Sequence, residues 1–188
     1  MNKVIIISGK SGAGKDMFAH FLKEELEAKG KRVLTIHYGD AVKWVLRDYF
    51  NWDGQKDEKG RTLLQHIGTD VVRTKYPNFW TEVVAQLISA FENEFDVALI
   101  PDARFENEVE IVMNMLPQSV CVRIERKNAD GSDWKNPAFT PEQLAHPSET
   151  SLDHYSFDYV VHNDEGLKEL KESAQTLLED LEKGENNE

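Results

Sequence analysis

The sequence predicts an α/β fold: a three-layer, doubly wound domain built on a five-stranded parallel sheet. Three observations predict it. Short apolar segments rich in β-branched residues recur along the chain, amphipathic patterns of helical period separate them, and 188 residues with 40% hydrophobic and 30% charged side chains supply one core. Strands alternating with helices imply parallel pairing with both sheet faces covered. The right-handed crossover rule then places ligands at the carboxyl ends of the strands. A single domain is expected over residues 1–188.

The first strand is Val4-Ile5-Ile6-Ile7, too short an apolar run for a secretory leader, so a cytoplasmic location is expected. A glycine-rich turn follows, and then a helix patterned by Met17, Phe18, Phe21, Leu22 and Leu26. Val33 to Tyr38 forms the second strand. Leu63, Leu64, Ile67 and Val71 fall at helical spacing, as do Trp80, Val83, Val84, Leu87, Ile88 and Phe91. Val97 to Ile100 is the third strand, with Pro101 acceptable at its end, where no further ladder donor is required. A helix patterned by Val109, Val112, Met113 and Leu116 leads to a fourth strand, Val120 to Ile124, and Tyr159 to His162 is the fifth. Leu167, Leu170, Ala174, Leu177, Leu178 and Leu181 mark the last helix, and an acidic tail over residues 179–188 is expected to fray. Residues 51–62 and 127–150 are polar, punctuated by glycine or proline, and resist a regular reading; such long insertions are functional or disordered.

Composition excludes several classes of function. A lone cysteine, Cys121, flanked by Val120 and Val122, rules out an internal disulfide and a cysteine-based zinc site, and marks a buried strand thiol in a reducing compartment. No stretch approaches eighteen apolar residues, so no membrane span is expected. The net charge is −12, and residues 164–188 carry half of it. A surface of that sign does not bind polymeric nucleic acid, which needs positive charge to displace counterions. Phosphate chemistry, if present, must rest on a local cluster of basic groups and backbone amides.

Such a cluster follows the first strand: Gly9-Lys10-Ser11-Gly12-Ala13-Gly14-Lys15-Asp16, the G-x-x-x-x-G-K frame of a P-loop between a strand and a helix. Glycines let backbone N–H groups turn inward around phosphate oxygens, and the helix amino terminus adds its positive end. Lys15, expected as an exposed loop ammonium, reaches the terminal phosphates. The competing reading is a glycine-rich turn with a solvated lysine. Asp16 stands where most such loops carry Ser or Thr to hold Mg²⁺, so it contacts the metal shell, or else only favours the helix amino terminus.

The third strand closes on Asp102, as in the arrangement that brings a second carboxylate near Mg²⁺. Asp102 could instead cap the helix that follows. Arg104 is either a phosphate clamp or one arm of an ion pair with Glu106 or Glu108.

These residues resemble the deoxynucleoside monophosphate kinases of phages and some bacteria, within the P-loop nucleoside monophosphate kinase class. The resemblance rests on GKSGAGKD at 9–16, GDAVK at 39–43, LLQHIGTDVVR at 63–73, FW at 79–80, IPDARFENE at 100–108, HPSE at 146–149 and FDYVVHND at 157–164. It implies a P-loop nucleotide kinase fold with a lid insertion over about 126–150 and acceptor-binding helices over about 39–93. ATP and Mg²⁺ are then the expected cofactors and small-molecule nucleotides the partners; a homodimer stays open. By this resemblance Gly9, Lys10, Ser11, Gly12, Ala13, Gly14, Lys15, Asp16 and Met17 hold ATP, with Asn163 and Asp164 near its adenine. Asp16 and Asp102 organise Mg²⁺, and Arg104 faces the transferring phosphate.

The implied acceptor pocket is Tyr38, Asp40, Lys43, Gln65, Thr69 and Arg73, joined by Arg104. For Lys43 and Arg73 the competing reading is surface charge, with Asp70 and Arg73 as an i,i+3 pair. The lid is sparse in basic residues, leaving the catalytic arginine among Arg104, Arg123 and Arg126, of which Arg104 and Arg126 are favoured alongside Lys15. Trp134 either stacks on a base or anchors the lid, and His146 is a turn residue or a hydrogen bonder behind the site. Aromatic residues at 76–80 favour a base-binding acceptor pocket. The expected reaction is transfer of the ATP γ-phosphoryl group to a (deoxy)nucleoside 5′-monophosphate. An animal-type phosphomevalonate kinase shares the Gly-Lys-Asp loop, and a P-loop switch protein is the alternative outside the transferases.

Overall fold

The computed structural model describes residues 3–55 and 57–185. Strands β1 (Lys3–Gly9), β2 (Val33–Thr35), β3 (Val97–Ala103), β4 (Ser119–Glu125) and β5 (Tyr159–His162) form one all-parallel sheet in the order β2-β3-β1-β4-β5. The continuous apolar run of β1 is explained by burial on both faces. Ile5 and Ile7 pack with helices α1 (Lys15–Ala28) and α8 (Leu167–Glu185), whereas Val4 and Ile6 pack with helices α4 (Phe79–Ala90) and α5 (Glu106–Met115). This is the expected three-layer, doubly wound arrangement, and β1 at its centre feeds its carboxyl end into the glycine-rich turn.

Three elements depart from the expected boundaries. β2 stops at Thr35, and Tyr38 opens helix α2 (Tyr38–Phe50) because the Asp102 carboxylate accepts the N–H groups of Tyr38 and Gly39, each at 2.9 Å. β3 runs past Ile100 to Ala103: register with β1 slips from Ile6–Ile100 to Ser8–Ala103, a bulge that absorbs Pro101 and its missing donor. The chain does not fray from residue 179. Helix α8 continues to Glu185, Leu181 is buried against α1, and Lys29 pairs with Glu182 at 2.6 Å; residues 186–188 of that expected tail lie outside the described residues.

The stretch first read as irregular at 51–62 contains the start of helix α3 (Glu58–Gln65), whose first turn is capped by Asp57 accepting from Gly60 N at 2.8 Å. From His66 to Arg73 the backbone widens into a π-helix. The longer repeat rotates Val72, not Val71, into a third apolar cluster with Val42, Leu46, Leu63, Leu64, Ile67 and Trp80, while Val71 is exposed. The expected 3.6-residue stripe was therefore right to Ile67 and one residue short beyond it. Residues 126–150 hold two short helices, α6 (Pro141–Leu144) and α7 (Pro147–Thr150), on otherwise irregular backbone.

Candidate phosphate-transfer site

Strand β1 and helix α1 force the glycine-rich turn into one shape. Gly9 has φ +154°, and a Cβ there would stand 2.6 Å from the Ile124 carbonyl; Gly14, φ +110°, caps α1 with no room beside the Asn163 amide. Both positions demand glycine. Lys15 is the first residue of α1 and is buried, not exposed as expected: its Nζ donates to the carbonyls of Gly9 (2.8 Å) and Lys10 (3.0 Å). Burial, reinforced by the Arg104 guanidinium, lowers its pKa to about 7.

Two cavities flank this loop. One, about 400 Å³, lies under the 126–150 segment and is lined by Lys10, Ser11, Ala13, Arg126, Trp134 and Asn136 among others. The other, about 520 Å³, lies toward α2 and the π-helix and is lined by Lys15, Asp16, Tyr38, Lys43, Gln65, Thr69, Arg73, Asp102 and Arg104 among others. The residues common to both walls are Ser11 and Glu149.

On the lid side, Arg126 donates to the Gly12 carbonyl at 3.2 Å with its guanidinium 4.1 Å from the Trp134 ring centroid, and Trp134 Nε1 donates to the Ser11 carbonyl at 3.2 Å. Asn136 Nδ2 donates to Ser11 Oγ at 2.8 Å. Arg123 is buried, bonded to Ser8 Oγ and Asp153. Asn163 is buried and donates to the Ala13 carbonyl at 2.8 Å, while Asp164 accepts the Lys127 N–H at the base of the lid segment. Met17, Asn163 and Asp164 line neither cavity, although all three were expected at the nucleotide. His146 is a turn residue: it caps α7, its Nδ1 accepting from Ser148 N.

On the helix side the residues expected at an acceptor line one cavity, with one exception. Asp40 is exposed, binds Lys43 Nζ at 2.7 Å and His37, and lines neither cavity; Lys43 does. Partial desolvation at the start of α2 pulls the Asp40 carboxyl upward, but the Lys43 and His37 contacts outweigh it and hold the group below its ordinary pKa. Arg73 makes no pair with Asp70. It pairs with the buried carboxylate of Glu108 and lies 4.2 Å over the Phe105 ring. Glu108 also accepts the N–H groups of Arg104 and Phe105 at the start of α5, so Asp102 is left to cap α2 and not the following helix. Burial raises Glu108 to about 6, with Arg73 opposing it. Arg104 sends its side chain to the loop, donating to Glu149 Oε1 at 2.7 Å and to the Gly9 carbonyl at 3.2 Å, and its guanidinium forms neither of the alternative pairs with Glu106 or Glu108. Trp80 lines this cavity with Nε1 committed to the Gly68 carbonyl, whereas Tyr76 and Phe79 are exposed and line neither cavity.

Sequence reasoning missed Glu149, Arg61 and Phe139, and offered Glu108 only as a surface partner for Arg104. Arg61, whose guanidinium sits 5.2 Å from the Phe139 ring, lies in the stretch read as irregular; Asp57 three residues ahead of Gly60 was the helix-start signal that could have placed it.

The sequence profile of the family described as deoxynucleotide monophosphate kinase matches residues 52–174. No curated protein matches the chain. Among solved structures, an unliganded sugar kinase from Janibacter sp. HTCC2649 is 15% identical, covers 95% of each chain and has a TM-score of 0.56. The Mycobacterium tuberculosis APS kinase CysC, in complex with AMPPNP and APS, is 14% identical with a TM-score of 0.50, covering 97% of this chain and 98% of that one. These likenesses show the fold. The family match, which includes the Asp102–Arg104 turn, residues 126–150 and the helix-side lining from Arg61 to Glu149 but not the glycine-rich loop or α2, shows that this chain belongs to the deoxynucleotide monophosphate kinase family.

Proposed function

We propose that the chain transfers the γ-phosphoryl group of ATP to the 5′-phosphate of a (deoxy)nucleoside monophosphate, giving the diphosphate and ADP. The observation that carries this reading is the pair of cavities meeting at one glycine-rich loop, with Ser11 and Glu149 at the junction and Lys15 and Arg104 on the helix-side wall beside it. ATP takes the lid-side cavity with its phosphates along residues 9–16, Arg126 and Trp134 lining its course. The monophosphate takes the helix-side cavity, where Lys43, Arg61 and Arg73 supply positive charge. Transfer between two phosphates needs alignment and charge neutralisation and no strong base.

Asp16 and Asp102 fit Mg²⁺: both open on the helix-side cavity beside Lys15. Mg²⁺ characteristically takes one or two carboxylates and completes its shell with phosphates and water. The Asp102 oxygens that accept from α2 retain lone pairs for such a shell. When bound, the ion neutralises phosphate charge. No helix among the described residues is long and apolar enough to cross a membrane.

The test is ADP release from ATP and Mg²⁺ against a panel of ribo- and deoxynucleoside 5′-monophosphates, with phosphomevalonate included. Turnover of at least one deoxynucleoside monophosphate is expected; turnover of phosphomevalonate alone, or none beyond acceptor-free hydrolysis, would overturn the reading.

A further inference from the structure

The wall shared by the two cavities is built from an anion. Glu149, on α7, is buried, and each of its carboxylate oxygens is engaged: Oε2 accepts the Ser11 N–H of the phosphate loop at 2.8 Å and Oε1 accepts from Arg104 at 2.7 Å. Its main-chain carbonyl accepts from Lys10 Nζ at 2.6 Å, and Lys10 also pairs with Asp153, just past α7. Asp153 in turn accepts from Arg123. An inward-turned loop amide and a guanidinium are what a phosphate oxygen would seek, and here a carboxylate has both. From the other end of α7, His146 approaches Asp70 of the π-helix at 3.8 Å, so the segment touches the phosphate loop and the acceptor helices together.

We propose that Glu149 is an internal stand-in for phosphate which the nucleotide must displace, so that nucleotide binding and release of α7 from the loop are one event. The proposal rests on the reading of residues 9–16 as the ATP phosphate cradle. Its physical basis is exclusion. A carboxylate and a phosphate oxygen cannot share the Ser11 amide and the Arg104 fork, and holding both anions there would set like charges in contact in a buried site. Displacement frees Arg104 for the phosphate and opens the passage between the cavities, through which the transferred group must move. The self-contact lowers the apparent affinity for nucleotide by the fraction of molecules in which the carboxylate is seated.

Two measurements on the full chain test this. Hydrogen exchange of the wild type with a non-hydrolysable ATP analogue should show residues 9–16 gaining protection while residues 146–153 lose it. Calorimetric titration of the same analogue should show Glu149→Gln binding roughly tenfold tighter than wild type, and Glu149→Asp, whose carboxylate is one methylene short, also tighter. Analogue binding by the wild type with unchanged or increased protection at 146–153 overturns the displacement while leaving the ATP reading standing. So does weaker binding by a folded Glu149→Gln. A wild-type chain that binds no analogue overturns the ATP reading itself and the proposal with it.

Discussion

Lys15 is a buried amine on the edge of titration, and that state predicts its behaviour. Lys15→Ala should lower kcat on the order of a thousandfold with an unchanged circular dichroism spectrum, since the ammonium faces loop carbonyls and not the apolar core. With its pKa lowered to about 7, the amine is largely neutral at pH 8 and protonated at pH 6. If a polyphosphate binds beside Lys15 as proposed, it should restore the charged form, and calorimetry in buffers of differing ionisation enthalpy should then detect proton uptake at pH 8 that vanishes toward pH 6 and is absent in Lys15→Met. At the neighbouring position, Asp16→Asn should raise the Mg²⁺ concentration for half-maximal rate; an unchanged Mg²⁺ dependence would leave Asp16 as a favourable charge at the amino end of α1. Under the proposed function Arg73 has two roles, contact with the acceptor phosphate and counter-charge to Glu108. Arg73→Ala should raise KM for the monophosphate and also lower stability by about 3 to 5 kcal/mol, because the buried Glu108 loses its counter-charge. Adding Glu108→Gln should restore much of the stability and none of the KM. Since the folded pKa of Glu108 is raised to about 6, its contribution to stability is full below pH 4.5 and lost as pH rises through 6. Urea titrations across that range should show this slope in the wild type and not in Glu108→Gln.

At the scale of elements, the π-helix decides which side chains meet the helix-side cavity. Gly68 in that turn lies against Val42, and its carbonyl takes the Trp80 indole, so α2, the π-helix and α4 are tied at one point. The widened turn predicts an asymmetry between adjacent valines: Val72→Ala should lower stability by about 1 to 2 kcal/mol, whereas the exposed Val71→Ala should change it by less than about 0.5 kcal/mol. Equal effects in urea denaturation would mean that the helix is an ordinary α-helix there. The β3 bulge works similarly. By absorbing Pro101 it turns Asp102 toward the start of α2 and Arg104 toward the glycine-rich loop, so a single irregularity in the ladder supplies two walls of the helix-side cavity.

Across the whole molecule, half of the net charge sits in a segment that is mostly packed helix, and the acidic face of α8 is anchored by a buried stripe, Leu170, Ala174, Leu177, Leu178 and Leu181, on α1. The helix that begins at the phosphate loop is thus braced along its length by the end of the chain. Leu181→Ala should cost about 2 to 3 kcal/mol and lower Tm by about 4 to 12 °C, measured by calorimetry. No change in Tm would show that α8 frays from residue 179 after all.

The sequence by itself determined the sheet, the order of its layers and the phosphate loop, because these follow from local signals: a four-residue apolar run buried on both faces, glycines at positions that tolerate no Cβ, and amphipathic helices of ordinary period. The convergence of Lys43, Gln65, Thr69, Arg73 and Arg104 on one cavity was legible through family resemblance and motif. Only the tertiary structure decided the partners of the charges. Arg73 takes Glu108, 35 residues along the chain, and Arg104 takes Glu149, 45 residues along, because burial raises the value of a counter-charge far above that of the nearest exposed one, and burial is set by how the elements pack.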